Sequence, residues 1–143
     1  MDLSDTAIAA ILERTKVIAL VGWSPKPERP SHRVAALLAS KGYRVIPVNP
    51  GQAGTQALGT TVMGSLAEVF AAFGAEVDMV DIFRASEAAP EVVAEALEAL
   101  PGLRTVWMQL GVISQEAQAM AEARGLDVVM DRCPAIELGR LGL

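Results

Sequence analysis

One cysteine, one histidine and very few aromatic rings are the shortages that first constrain this chain. A lone Cys133 excludes an internal disulfide and offers no metal-ligand spacing. Aromatic residues are 4% of the 143 residues, while the hydrophobic fraction reaches 52%. The core is therefore to be built from Ala, Val, Leu, Ile and Met, at a size that suits one domain over residues 1–143. No uninterrupted apolar run approaches the roughly 18 residues that a membrane span needs. Basic residues are outnumbered, 12 against 17 acidic ones, for a net charge of -5. That balance argues against nonspecific nucleic-acid binding. It leaves room for one small anion held by a local cluster of cations. The stretch from Met1 to Arg14 carries Asp2, Asp5 and Glu13, with no basic segment ahead of an apolar run, so no secretory signal is expected. The expectation is a reduced, cytoplasmic protein without a membrane partner; homo-oligomerisation is left open.

What the chain does contain is a recurrence of short β-type runs: Val17 to Val21, Arg44 to Val48, Val77 to Ile82, Thr105 to Met108, and Asp127 to Met130. The first and last are nearly continuous in apolar residues, as buried parallel strands are. Helix-like stretches lie between them. Ser31 is placed to cap a helix through Val34 to Leu38 that Gly42 ends, and Ser65 to cap Leu66 to Phe73. Pro90 suits a first turn before Glu91 to Leu100, and Ser114 caps Gln115 to Arg124, which Gly125 ends. Asp5 is placed to cap a short N-terminal helix, Thr6 to Glu13. This alternation predicts a Rossmann-like three-layer α/β fold with a five-stranded parallel sheet, in the order 3-2-1-4-5. Ligands of such sheets bind at the carboxyl ends of the strands, where the order reverses. The segment Asn49 to Gly64, rich in Gly, Thr and Gln, is either a ligand-covering loop or an ordinary long connection.

The loop after the first strand reads Gly22-Trp23-Ser24-Pro25-Lys26-Pro27. A dinucleotide loop needs G-x-G-x-x-G, and only the first glycine is here. Pro25 and Pro27 remove backbone N–H groups that a tight pyrophosphate turn would use. Ser24, Lys26, Arg29, Ser31 and Arg33 supply hydroxyl and cationic donors instead, and the start of the following helix adds free N–H groups and a positive dipole end. A phosphate-binding loop for a nucleotide-type ligand is the reading. The second strand ends Val48-Asn49-Pro50, without the acid that bonds a ribose in NAD sites.

With these segments in view, the chain resembles the stand-alone CoA-binding proteins, which share the CoA-binding domain of the succinyl-CoA synthetase alpha subunit. The resemblance runs from about Lys16 to Leu141 and is carried by Val21 to Pro27 with Arg29-Pro30-Ser31, by Val45 to Pro50, by Val80 to Arg84, by Val106 to Gly111 and by Met130 to Pro134. It implies coenzyme A or an acyl-CoA as ligand. Gly22, Trp23 and Ser24 would then approach the phosphates through the backbone, with Lys26 and Arg29 supplying charge beside Pro30 and Ser31. Val48, Asn49 and Pro50 would border the adenosine, Phe83 and Arg84 would flank the ligand, and Met108, Gln109, Leu110 and Gly111 would line the pantetheine side. The synthetase's phosphorylated histidine sits in a second domain. The only histidine here, His32, starts a helix and reads as a capping or ligand-adjacent residue.

A non-catalytic carrier, sensor or accessory module follows. The competing classes are an acyl-CoA-processing enzyme and an NAD(H)-sensing module. The enzyme would draw on Cys133, His32 and Ser114, which show no triad spacing. Cys133 is either a reactive thiol open to a mixed disulfide with coenzyme A or, more simply, a small buried residue. Asp78 and Asp81 stand three apart on a strand and so point to opposite faces. Asp131 is expected to pair with Arg132 or cap the last helix. Trp23 and Trp107 are candidates to stack on an adenine; core packing serves Trp107 equally, and a subunit contact Trp23. Met79, Met108, Met120 and Met130 read as core.

Overall fold

A computed structural model describes residues 3–143; Met1 and Asp2, part of the acidic N-terminal stretch, lie outside them. Strands β1 (Val17–Val21), β2 (Arg44–Val48), β3 (Gln56–Ala57), β4 (Thr60–Thr61), β5 (Met79–Ile82), β6 (Thr105–Met108) and β7 (Asp127–Val129) alternate with helices α1 (Asp5–Arg14), α2 (Pro30–Ser40), α3 (Leu66–Phe73), α4 (Ala89–Ala99), α5 (Gln115–Glu122) and α6 (Pro134–Leu141). The main sheet is parallel and runs β2-β1-β5-β6-β7, the five-stranded Rossmann-like arrangement.

Successive strand residues point to opposite faces, so β1, buried along its length, feeds two cores. Ile18 and Leu20 pack with Ile8, Leu12, Val34, Leu38 and Leu138 under α1, α2 and α6. Val17, Ala19 and Val21 pack with Leu66, Val69, Val93 and Ala117 under α3, α4 and α5. The apolar runs of the sequence are thus strands covered on both sides. Arg140 ties α6 to α1, reaching Asp5 at 2.8 Å and the buried Glu137 at 2.8 Å.

Two sequence expectations about helix starts need correcting. The N-cap of α1 is Ser4, whose hydroxyl accepts from the Ala7 N–H, and Asp5 is the first helical residue. Helix α2 starts at Pro30 with Arg29 as N-cap and no side-chain cap, because the Ser31 hydroxyl is turned back to accept from the Ser24 N–H. Ser65 and Ser114 cap α3 and α5 as their spacing implies.

The strand order also differs. Numbered along the chain, the five strands stand 2-1-3-4-5 and not 3-2-1-4-5. Beyond β2, the place expected for the third strand is taken by the end of the Asn49 to Gly64 segment, which makes one parallel bridge, Val48 to Met63. Its bonds run from the Asn49 N–H to the Met63 carbonyl and from the Met63 N–H to the Pro47 carbonyl. Outward-facing N–H groups of β2 alternate, and the one before Asn49 belongs to Pro47, which has none. The extra strand is therefore stunted. Upstream of it, β3 and β4 form a small hairpin turned by Leu58 and Gly59, both at positive φ.

Candidate functional site

A cleft of about 780 Å³ opens at the carboxyl ends of β1, β2 and β5. This is the position at which open α/β sheets take ligands. Its floor begins at Gly22, held at φ +94°. A Cβ there would meet the Phe83 carbonyl oxygen at 2.2 Å, so only glycine lets the first loop pass the end of β5.

The loop is braced from within. The N–H groups of Gly22 and Trp23 both donate to the Val48 carbonyl, at 3.0 and 3.2 Å. The Ser24 N–H goes to the Ser31 hydroxyl at 3.0 Å and the Lys26 N–H to the Ser24 hydroxyl at 3.2 Å. Asn49 donates to the Trp23 carbonyl at 2.7 Å and accepts from the Gly51 N–H at 2.8 Å. His32 shares a hydrogen bond with the Ser24 carbonyl at 3.0 Å, and its ring stacks on Trp23 with centroids 5.8 Å apart. The N–H groups of Gly22, Trp23 and Ser24 are thus all engaged within the protein. Trp23 is also turned inward, 5% exposed.

Charge comes from exposed side chains. Lys26, Arg29 and Arg84 all line the cleft. Among the described residues none of them has a carboxylate within ion-pair distance, whereas Arg14, Arg44, Arg132 and Arg140 each do. The one acidic side chain on the wall among the described residues, Glu95, accepts from the Leu66 N–H at 2.7 Å and so caps α3.

The cleft gathers Gly22, Trp23, Ser24, Lys26, Arg29, Pro30, Ser31, Val48, Asn49, Pro50, Phe83 and Arg84. It does not gather the segment after β6. Met108 is fully buried, since β6 turns it to the face under α3, α4 and α5. Gly111 donates to Asp131 at 2.7 Å, away from the cleft wall. Gln109 and Leu110 line a separate apolar groove that shares Pro30 and Phe83 with the cleft. Sequence reasoning missed Val21, Gly51, Gly64, Ser65, Leu66, Val92 and Glu95 on the wall. Ser65 as a helix N-cap was the available signal. Only the ends of the Asn49 to Gly64 segment, at Asn49, Pro50, Gly51 and Gly64, reach the cleft.

The remaining candidates resolve into structure. Asp131 accepts from Gly111 and neither pairs with Arg132, which bonds Glu137 at 3.1 Å, nor caps α6, whose N-cap is Cys133. Asp78 accepts from the N–H groups of Lys16 and Val17. Asp81 is fully buried on the opposite side, and desolvation pushes its carboxyl well above the usual carboxylate range. Trp107 is core, with its Nε1 donating to the Arg132 carbonyl at 2.7 Å. Among the described residues, no helix is long and apolar enough to cross a membrane.

Comparison with known proteins places these features in a lineage. A family model described as a CoA binding domain matches residues 16–139. The uncharacterized protein YneT of Bacillus subtilis (strain 168) is 39% identical over 130 residues, which cover 91% of this chain and 90% of that one. Two solved structures superpose closely. Cell-free ID.343 from Thermus thermophilus has a TM-score of 0.86 at 35% identity, covering 97% of this chain and 99% of that one. A hypothetical protein from Pyrococcus horikoshii OT3 has a TM-score of 0.86 at 36% identity, covering 99% and 94%.

Proposed function

The chain belongs to the CoA binding domain family, and from that premise we propose that it binds coenzyme A in the cleft at the carboxyl ends of β1, β2 and β5, as a carrier, sensor or accessory module. The observation that carries this reading is the group of three cleft cations, Lys26, Arg29 and Arg84, that have no carboxylate partner among the described residues. Coenzyme A brings a pyrophosphate and a ribose phosphate, and charge-assisted bonds to such groups favour exposed cations of this kind. The braced loop sets how they are met: side chains of Lys26, Arg29, Arg84 and Ser24 reach the phosphates, with Val48, Asn49 and Pro50 beside the adenosine.

A dinucleotide is disfavoured by the same geometry. Asn49 stands where NAD sites carry an acid, and both ends of its amide are already engaged by Trp23 and Gly51. Turnover of a thioester finds little support, because its candidate groups are dispersed. His32 is committed to Ser24 and Trp23, Ser114 caps α5, and Cys133, buried, lines the neighbouring groove and not the cleft.

Thermal unfolding with added ligand tests the reading. Stabilisation is expected to be largest for coenzyme A, smaller for dephospho-coenzyme A and absent for NAD, at equal concentrations. At 100-fold excess over the dissociation constant, linkage gives about 2.7 kcal/mol. Equal shifts for all three, or none, overturn it.

A further inference from the structure

Beside the cleft lies a second hollow of about 520 Å³, between α2 and α6. Pro30 and Phe83 line both, so the two are neighbours across one shared wall. The cleft is rimmed by cations. This groove is walled by Val34, Leu37, Leu110, Ala135 and Ile136. The one charged residue lining it among the described residues, Arg33, donates from its guanidinium to the Glu28 carbonyl at 2.5 Å. Of the large apolar side chains that the described residues leave exposed, Leu37 (39%), Leu110 (55%) and Ile136 (55%) all border this hollow. Gln109, only 5% exposed, also lines it, and its side-chain carbonyl oxygen is buried without a hydrogen-bond partner among the described residues. A buried acceptor with no donor is costly, and an N–H brought by a ligand would satisfy it.

We propose that this groove takes the acyl chain of an aliphatic coenzyme A thioester, led out of the cleft past Pro30 and Phe83. The inference rests on the reading of the cleft as the coenzyme A site. The two hollows match the two halves of such a molecule: cations for its phosphates, an apolar trough for its tail. The arm between them carries amide N–H groups, the donors that the Gln109 oxygen lacks. The apolar wall of Val34, Leu37, Leu110, Ala135 and Ile136 suits a hydrocarbon tail.

Calorimetric titration of the full chain with coenzyme A, acetyl-coenzyme A and octanoyl-coenzyme A tests this. Octanoyl-coenzyme A is expected to bind at least about tenfold tighter than coenzyme A, the equivalent of fewer than two fully buried methylenes. Ile136→Glu is expected to abolish that gain and leave coenzyme A affinity unchanged. Leu37→Ser, milder for the fold, is expected to reduce the gain. Equal affinities for the three ligands overturn the groove's role while leaving the cleft reading in place. A gain that survives both substitutions overturns it as well. So does a dimer, seen by sedimentation, that Ile136→Glu dissociates, because a second copy then covers the groove. Failure of all three ligands to bind overturns the cleft reading itself.

Discussion

An ideal Cβ on Gly22 lies 2.2 Å from the carbonyl oxygen of Phe83, across the seam where β1 pairs with β5. The Phe83 N–H donates to the Val21 carbonyl at 2.8 Å, so the two loops leave the sheet locked together. The same two residues start the cleft: Gly22 is its floor and Phe83 its wall. Fold and site therefore meet at one contact.

Gly22→Ala is expected to destabilise the protein by about 3 kcal/mol, combining a non-glycine residue at positive φ with overpacking against backbone. Urea unfolding measures it. A change below about 1 kcal/mol would mean that the contact yields more easily than its geometry implies.

Lys26→Ala, Arg29→Ala and Arg84→Ala are each expected to weaken coenzyme A binding about tenfold, the worth of one charge-assisted hydrogen bond. Unfolding midpoints should stay within about 0.5 kcal/mol of the parent, because the side chains are exposed and make no ion pair among the described residues. Equilibrium dialysis at two salt concentrations checks both the loss and its screening. Undiminished affinity in all three variants would remove the cations from the site.

Asp81 offers a test in pH. It sits between Leu20 and Trp107 in the sheet, with both oxygens buried and unpartnered among the described residues. Burial raises its folded-state pKa above the ordinary 3.8. An acid raised on folding binds its proton more tightly in the folded state. Its contribution is fully present below the ordinary pKa and is lost as pH rises from about 4 through the folded value. The stability of Asp81→Asn relative to the parent should therefore climb with pH over that window. Parallel urea-unfolding profiles at pH 5 and pH 8 would contradict this.

Much of the architecture was legible because its signals are local. Runs such as Val17 to Val21 read as two-sided strands, and Ser65 and Ser114 stood where their caps form. The strand order was not, since it turns on Pro47 lacking one outward N–H and on a Gly-rich and Thr-rich segment too weakly patterned to read as a strand. Facing was hidden where both faces of a strand are apolar: nothing in Thr105 to Met108 says that Met108 points away from any ligand. In the first loop, the residue types suited phosphates, yet the sequence did not reveal that Val48, Ser24 and Ser31 consume its backbone donors. Side-chain cations were readable; the partners of backbone N–H groups depend on chain segments that only the fold brings together.

The central claim is that the cleft beside Gly22 binds coenzyme A. Isothermal titration of the full chain with coenzyme A at physiological salt tests it most directly. One site per chain is expected, weakened when the ribose phosphate is missing in dephospho-coenzyme A and undetectable with NAD at the same concentrations. No heat of binding from folded protein with coenzyme A, or equal binding of NAD, would contradict it.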